Sequence, residues 1–382
     1  MKADMRMAAD ESGGMKDEGR IAKGGRFSFF VFRRSSVVGP RSVVIIAMLL
    51  FTAWFSAYSI ALHDAHLTHK ADLGQIDMAI WNTSQGRLLQ EVKDETISTR
   101  LTDHVEPVFV LISPVFWLWD DVRALLILQA AALAAGAWPI YLLARRHIAH
   151  RTSQMANGST QYAPRTTHHA TADWLSLIFA AAYLLTPALQ AGAVAEFHAF
   201  PFAAPLIAWA LWAVEDRRWG ELVVAGVLLA GVQEGMALLT ATLGLYAIAR
   251  GSGEGVAEAK GAAGWTRGFS RFGARATDRL KARFLGFSPP ALAAGVAMAT
   301  FGLAWFYVAT FVIIPHYASL AYGLAQSPYA ARFGALGDSF GDVAKALLTQ
   351  PLTVLQIAVE PLRLRYLAGL LLPSAFLALL GP

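Results

Sequence analysis

The feature that most constrains this chain is a series of apolar runs close to twenty residues long, beginning with SVVIIAMLLFTAWFSAYSIAL at 42–62. About 20 apolar residues in helical form cross the roughly 30 Å of hydrocarbon in a bilayer. Inside that hydrocarbon every backbone N–H and C=O must be satisfied by the chain itself, so such runs fold as helices. Further runs lie at about 123–143, 174–194, 199–214, 221–233, 235–249, 290–314 and 366–382, which predicts an all-α polytopic membrane protein of about eight spans. Hydrophobic residues make up 55% of the chain and charged residues only 15%, against about 25% charged in soluble domains. That balance disfavours a soluble enzyme, a disordered tail and a nucleic-acid-binding domain, so no nucleic acid is expected as a partner. There are no cysteines, which excludes disulfides, zinc–thiolate sites and thiol nucleophiles.

Residues 1–41 are polar, Gly-rich and basic, and read as a disordered cytoplasmic arm. The run at 42–62 is too long for a cleaved signal peptide and reads as an uncleaved first span. Residues 105–119 (VEPVFVLISPVFWLW) are apolar but short, with Pro107 and Pro114 inside. In helical form they reach only about 22 Å, less than the hydrocarbon thickness. The positive-inside rule supports a surface position for them. With 105–119 on the outer surface, the basic segments 1–41, 144–173, 215–221 and 250–287 all fall inside. If 105–119 crossed, Arg145, Arg146 and the 250–287 stretch would be stranded outside. The expected arrangement is therefore a multi-pass protein of the cell membrane with a cytoplasmic N-terminus. Its two long outer loops are 63–122 and 315–365.

The informative polar residues then sit in the outer loops. In ADLGQIDMAIWNTSQGRLL (71–89), Ile76, Ala79, Ile80 and Thr83 share one face at helical spacing. Asp72 at its start reads either as a helix cap or, with Asp77, as a catalytic carboxylate on a surface helix. Asp103-His104-Val105-Glu106-Pro107 reads as interfacial anchoring or as a pocket lining. Glu196 and His198 fill the short turn AVAEFHAFPF, and Gln233-Glu234 interrupts the run 222–249. Charges at such depth are costly and favour a polar cavity. His316 follows the span 290–314, and Arg332 is one of few external cations, suited to a phosphate by bidentate hydrogen bonding. There is no Gly-rich phosphate loop, no G-x-S-x-G elbow and no H-E-x-x-H helix.

Read in order, ADLGQIDMAIWNTSQGRLL, DHVEPVFVLISPVF, LLILQAAALAAGAWPIYLLARR, EFHAFPFAAPL, QEGMALLTATLGLYAI and SPYAARFGALGDS resemble a family of bacterial and archaeal predicted membrane proteins, domain of unknown function 2079, over roughly 42–382. That family in turn resembles GT-C-type glycosyltransferases, which take a sugar from a polyprenyl-phosphate carrier. The resemblance implies a GT-C-like helical bundle with membrane-parallel helices in outer loop 1. It also implies an acidic residue before a helix that ends at a Gly about fourteen residues on, which matches Asp72 and Gly86. Glu196 matches a second outer-loop acid. Glu234 falls where the family carries a Lys-Glu-Asp-like motif, here Gln233-Glu234-Gly235. The family also continues past the last run, so a C-terminal part is expected to be absent.

The leading expectation is a membrane glycosyltransferase with Asp72 as base, joined by Asp77 and Glu196. His104, Glu234, Arg332 and His316 would contact the polyprenyl-phosphate sugar donor and an unidentified acceptor. Glu196, His198 and His104 would hold a divalent metal, Mg or Mn. The alternatives are a proton- or cation-coupled transporter using Glu196 and Glu234, or a non-catalytic envelope assembly protein.

Overall fold

The computed structural model describes residues 39–68, 70–93, 96–157, 165–265, 288–323, 334–337 and 340–372. The basic arm expected at 1–41 therefore lies almost wholly outside the described residues, as do Arg332 and most of the expected last span.

The protein is an all-α membrane protein. The first helix, α1 (Pro40–Asp64), begins on an extended Gly39 with Pro40 in its first turn, where a missing N–H costs nothing. After it come a π turn (Lys70–Gly74) and α2 (Gln75–Ser84). A two-stranded antiparallel hairpin, β1 (Gln90–Lys93) and β2 (Thr96–Thr99), is followed by a 3-10 turn at Arg100–Thr102. The hairpin was not expected; its second strand, TIST, is rich in the β-branched residues that favour a pleated surface. Two short helices, α3 (Val108–Ile112) and α4 (Val115–Leu118), meet at Pro114. The bundle then continues through α5 (Arg123–Ala135), α6 (Ala137–Asn157), α7 (Arg165–Leu184), α8 (Pro187–Val194), α9 (Ala203–Glu215), α10 (Trp219–Ala230), α11 (Met236–Trp265) and α12 (Pro289–Val308). A second π turn at Ala309–Ile313 leads into α13 (Ile314–Tyr322). Three further helices close the described chain: α14 (Phe340–Thr349), α15 (Pro351–Ala358) and α16 (Pro361–Leu371).

Among the described residues, fewer helices are long enough to cross a bilayer than the eight spans expected, and most of the run at 366–382 lies outside them. Among the described residues Pro40–Asp64, Arg123–Thr152 and Pro289–Ala321 are long and apolar enough. A fourth span is formed only if Ala170–Leu184 and Pro187–Val194, bent by 51°, act as one. Pro187 explains that break, because its ring removes a helix hydrogen bond and clashes with the preceding turn. Phe200–Glu215, Trp219–Ala230 and Met236–Gly251 are apolar but shorter, cut by the polar turns at 216–218 and 231–235.

The short helices still run between two polar rims. One rim gathers Arg145 with Asp173, Arg146 and Arg218 with Asp216, and Arg250 with Glu215. At the other rim Arg123 pairs with Asp64 at 2.6 Å and with Asp121 at 2.7 Å. Residues 105–119 stay at this second, more acidic rim. Val108 N donates to Gly231 O at 2.8 Å, and Trp117 Nε1 donates to Ser84 O at 2.9 Å. Much of α1 faces outward: Leu50 and Trp54 are 65% and 70% exposed, as a lipid-facing surface requires.

The closest packing joins α11 and α12. A Cβ on Gly244 would lie 2.5 Å from Gly295 O, and one on Gly295 would lie 2.6 Å from Gly244 O. Small residues let two backbones approach where lipid supplies no hydrophobic drive between helices. Gly244→Val or Gly295→Leu should therefore force the pair apart and cost about 2 kcal/mol or more, read as a lower Tm in detergent. Gly220→Ala, with open space around it, should be neutral or stabilising by up to about 1 kcal/mol.

Candidate functional site at the acidic rim

The face predicted for 71–89 forms. Ile76, Ala79 and Ile80 are buried, and Thr83 Oγ1 donates to Ala79 O at 2.7 Å while accepting from Leu89 N at 2.8 Å. The helix ends at Ser84, and Gly86 takes a positive φ of 83° that an L side chain would resist. Leu73, Ile76 and Ile80 share one apolar core with Phe109, Phe197 and Val232. That core draws four segments to the same rim: α2, the 104–109 stretch, the 195–202 turn and the 231–235 turn.

The two aspartates of this helix have different surroundings. Asp72 lies inside the π turn and is exposed, and α2 starts after it without a side-chain cap. The capping role open to Asp72 from sequence is thus not the one it takes. Asp77 is partly buried, and its Oδ1 is shut off from water with no hydrogen-bond partner among the described residues. Burial, and then the negative charges of Asp121 and Asp120, push its pKa up from 3.8 to about 6. Asp120 is itself held in place by Trp81 Nε1, which donates to its Oδ1 at 2.8 Å.

His104 and Glu234, far apart in sequence, form a pair. The Glu234 carboxylate accepts from His104 Nδ1 at 3.0 Å through Oε1, and from Val105 N at 3.0 Å through Oε2. The Gln233 amide is 2.7 Å from the same His104 nitrogen. Since Nδ1–H donates to the carboxylate, that contact is favourable when the amide oxygen faces the ring. This places a proton on His104 Nδ1. Beside the pair, Arg100 Nε donates to the buried Glu106 at 2.8 Å.

The 195–202 turn is organised by Gln129. Its Nε2 donates to Gly192 O at 3.0 Å and Ala195 O at 2.9 Å, and its Oε1 accepts from His198 N at 2.9 Å. His198 Nδ1 lies 2.7 Å from Glu196 O, which can only accept, so Nδ1 carries a proton.

Of the residues expected to act together, Asp77, His104, Glu234, Glu196 and His198 gather at one rim. His316 is exposed on α13, and Arg332 lies outside the described residues. Among the described residues no group of three or more His, Asp or Glu side chains is placed to hold a metal. Glu196, His198 and His104 therefore do not form a three-ligand set here. Sequence reading missed Gln129, Asp120 and Asp121. A lone amide inside LLILQAAALAA was the available signal for Gln129. The two aspartates show their role only once Trp81 and Asp77 are beside them.

The raised pKa sets a stability prediction. Between about 3.8 and about 6 the folded chain holds a proton at Asp77 that the unfolded chain has released. Stability from this group therefore falls as pH rises through that window. Asp77→Asn should match the wild-type Tm near pH 4 and exceed it at pH 8, by about 1–2 kcal/mol once partial solvent screening is allowed for.

Residues 64–382 match the family model described as Predicted membrane protein (DUF2079). None of the curated proteins matches the chain, and no solved structure does. The match covers well over half of the sequence, and the chain belongs to the DUF2079 family of predicted membrane proteins.

Proposed function

We propose that the protein is a membrane-embedded glycosyltransferase that moves a sugar from a polyprenyl-phosphate carrier to an acceptor hydroxyl at the acidic rim, with Asp77 as general base. The observation that carries this reading is the Asp77 carboxylate, partly buried and titrating near 6. A base works best when its pKa lies close to the operating pH. Asp72 was the favoured base from sequence, but its exposure supports it less well.

In the proposed step the acceptor O–H gives its proton to Asp77 as the new bond to the anomeric carbon forms. The bond from that carbon to the carrier's phosphate oxygen breaks, and the phosphate leaves with the electron pair. His104, held by Glu234, would line the site that takes the sugar phosphate. The donor's lipid tail would lie among the apolar helices. In this reading the rim holding Arg145, Arg146, Arg218 and Arg250 faces the cytoplasm of the plasma membrane, following the positive-inside rule.

A proton-coupled carrier is the second reading, because a carboxylate titrating near 6 also suits proton uptake. Glu234, one of the two groups a carrier was expected to use beside Glu196, is instead committed to His104 and Val105 N, which favours the first reading.

Purified protein given radiolabelled polyprenyl-phosphate sugars should consume one of them. Asp77→Asn should lower transfer by about a hundredfold or more, while Asp72→Asn stays within about threefold. Because the base acts deprotonated, wild-type activity should be lost as pH falls through about 6. Full activity in Asp77→Asn overturns the assignment, and proteoliposome uptake without sugar transfer favours the carrier.

A further inference from the structure

A cavity of about 500 Å³ opens between the hairpin, the 3-10 turn after it and α13, lined by Arg87, Gln90, Ser98, Thr102, Tyr317 and Leu320 among others. It involves none of Asp77, His104, Glu234, Glu196 or His198. Three features distinguish it from an ordinary surface cleft.

The first is a prearranged cation. Arg87 Nε donates to Asn82 Oδ1 at 2.8 Å, and its guanidinium lies 5.4 Å from the centre of the Trp81 ring. Asn82 is itself buried and tied to the strand by Nδ2–H to Gln90 O at 2.9 Å. With Nε committed and one face on the indole, the terminal Nη groups are left to serve a ligand. The second is a pair of orphan hydroxyls. Thr102 is fully buried, yet among the described residues its Oγ1 has no hydrogen-bond partner, and neither has the enclosed Ser98 Oγ. A buried hydroxyl left unsatisfied is destabilising, so an unpaired pair beside one cavity calls for a partner. The third is the wall on α13, where Tyr317 and Leu320 add an aromatic and an apolar surface to the polar side.

We infer that this cavity is a binding site for a phosphate ester, its oxyanion held by the Arg87 fork and by the hydroxyls of Thr102 and Ser98. An oxyanion accepts from all of these donors at once, and a guanidinium fork matches its geometry. A neutral sugar would satisfy the hydroxyls but would leave the cation unmatched. A free phosphate and a phospholipid headgroup at the membrane surface share this chemistry. The inference concerns binding alone and does not depend on the proposed sugar transfer.

The test uses the full chain and reads binding rather than turnover. Inorganic phosphate is titrated calorimetrically into detergent-solubilised protein in phosphate-free buffer. Phosphatidylglycerol retained after detergent washing is measured by mass spectrometry. Arg87→Gln should weaken phosphate binding by about tenfold or more, or abolish lipid retention, with an unchanged Tm. Thr102→Val should weaken binding about three- to tenfold without lowering Tm, because it removes an orphan hydroxyl at constant volume. A purely structural threonine would instead lose stability. Phosphate titration that responds to both variants identifies a soluble phosphate ester, and lipid retention alone identifies a headgroup. The inference is overturned if wild type and Arg87→Gln behave alike with both probes. It is equally overturned if methyl glucoside binds and phosphate does not compete.

Discussion

Glu234 joins two stretches of chain that sequence separates widely. One carboxylate takes the ring of His104 and the backbone N–H of Val105, while one turn away Gly231 O takes Val108 N. Those bonds hold the 104–109 stretch down against the 231–235 turn, and Phe109 then packs on Phe197 from a third segment, with ring centres 6.1 Å apart. The clamp therefore gathers the acidic rim. Removing the carboxylate would take away the partner of the Val105 N–H and one partner of the His104 ring, in a part-buried place where water compensates poorly.

Lipid imposes the other constraint. Backbone groups must be satisfied inside the chain, so the polypeptide returns between its rims as helices even where a pass is only Trp219–Ala230. The rims divide chemically. Arginines pair with acids at one, whereas at the other Arg123 pairs with two acids while Asp77 and Asp120 lie close by. Burial, helped by this excess of negative charge, pushes the Asp77 pKa up to about 6. Where helices must approach closely, Gly244 and Gly295 let backbone meet backbone.

Much of this was legible in the sequence, for physical reasons. Apolar runs announce helices because hydrocarbon tolerates little else. The α2 face was readable from Ile76, Ala79, Ile80 and Thr83, and its end from Gly86, because periodicity and positive φ are local properties. The choice between Asp72 and Asp77 was not legible. They lie five positions apart on one segment, and only the folded chain part-buries Asp77 beside the charges of Asp120 and Asp121 while leaving Asp72 exposed. The break at 231–235 was legible too, because Gln233-Glu234 interrupts the apolar run and leaves a short helix on either side. The hairpin at 90–99 carries too short a pattern to stand out within a long polar loop.

Whether residues 105–119 fold back rather than cross decides if these groups can meet at all. The chain contains no cysteine, so single thiols placed at the exposed positions Gln85, Ala195 and His150 report sidedness without a background. In intact cells a membrane-impermeant maleimide should label Gln85→Cys and Ala195→Cys, and should reach His150→Cys only after permeabilisation. Labelling of Gln85→Cys and Ala195→Cys from opposite faces would mean that 105–119 crosses, and the acidic rim would not exist as one surface.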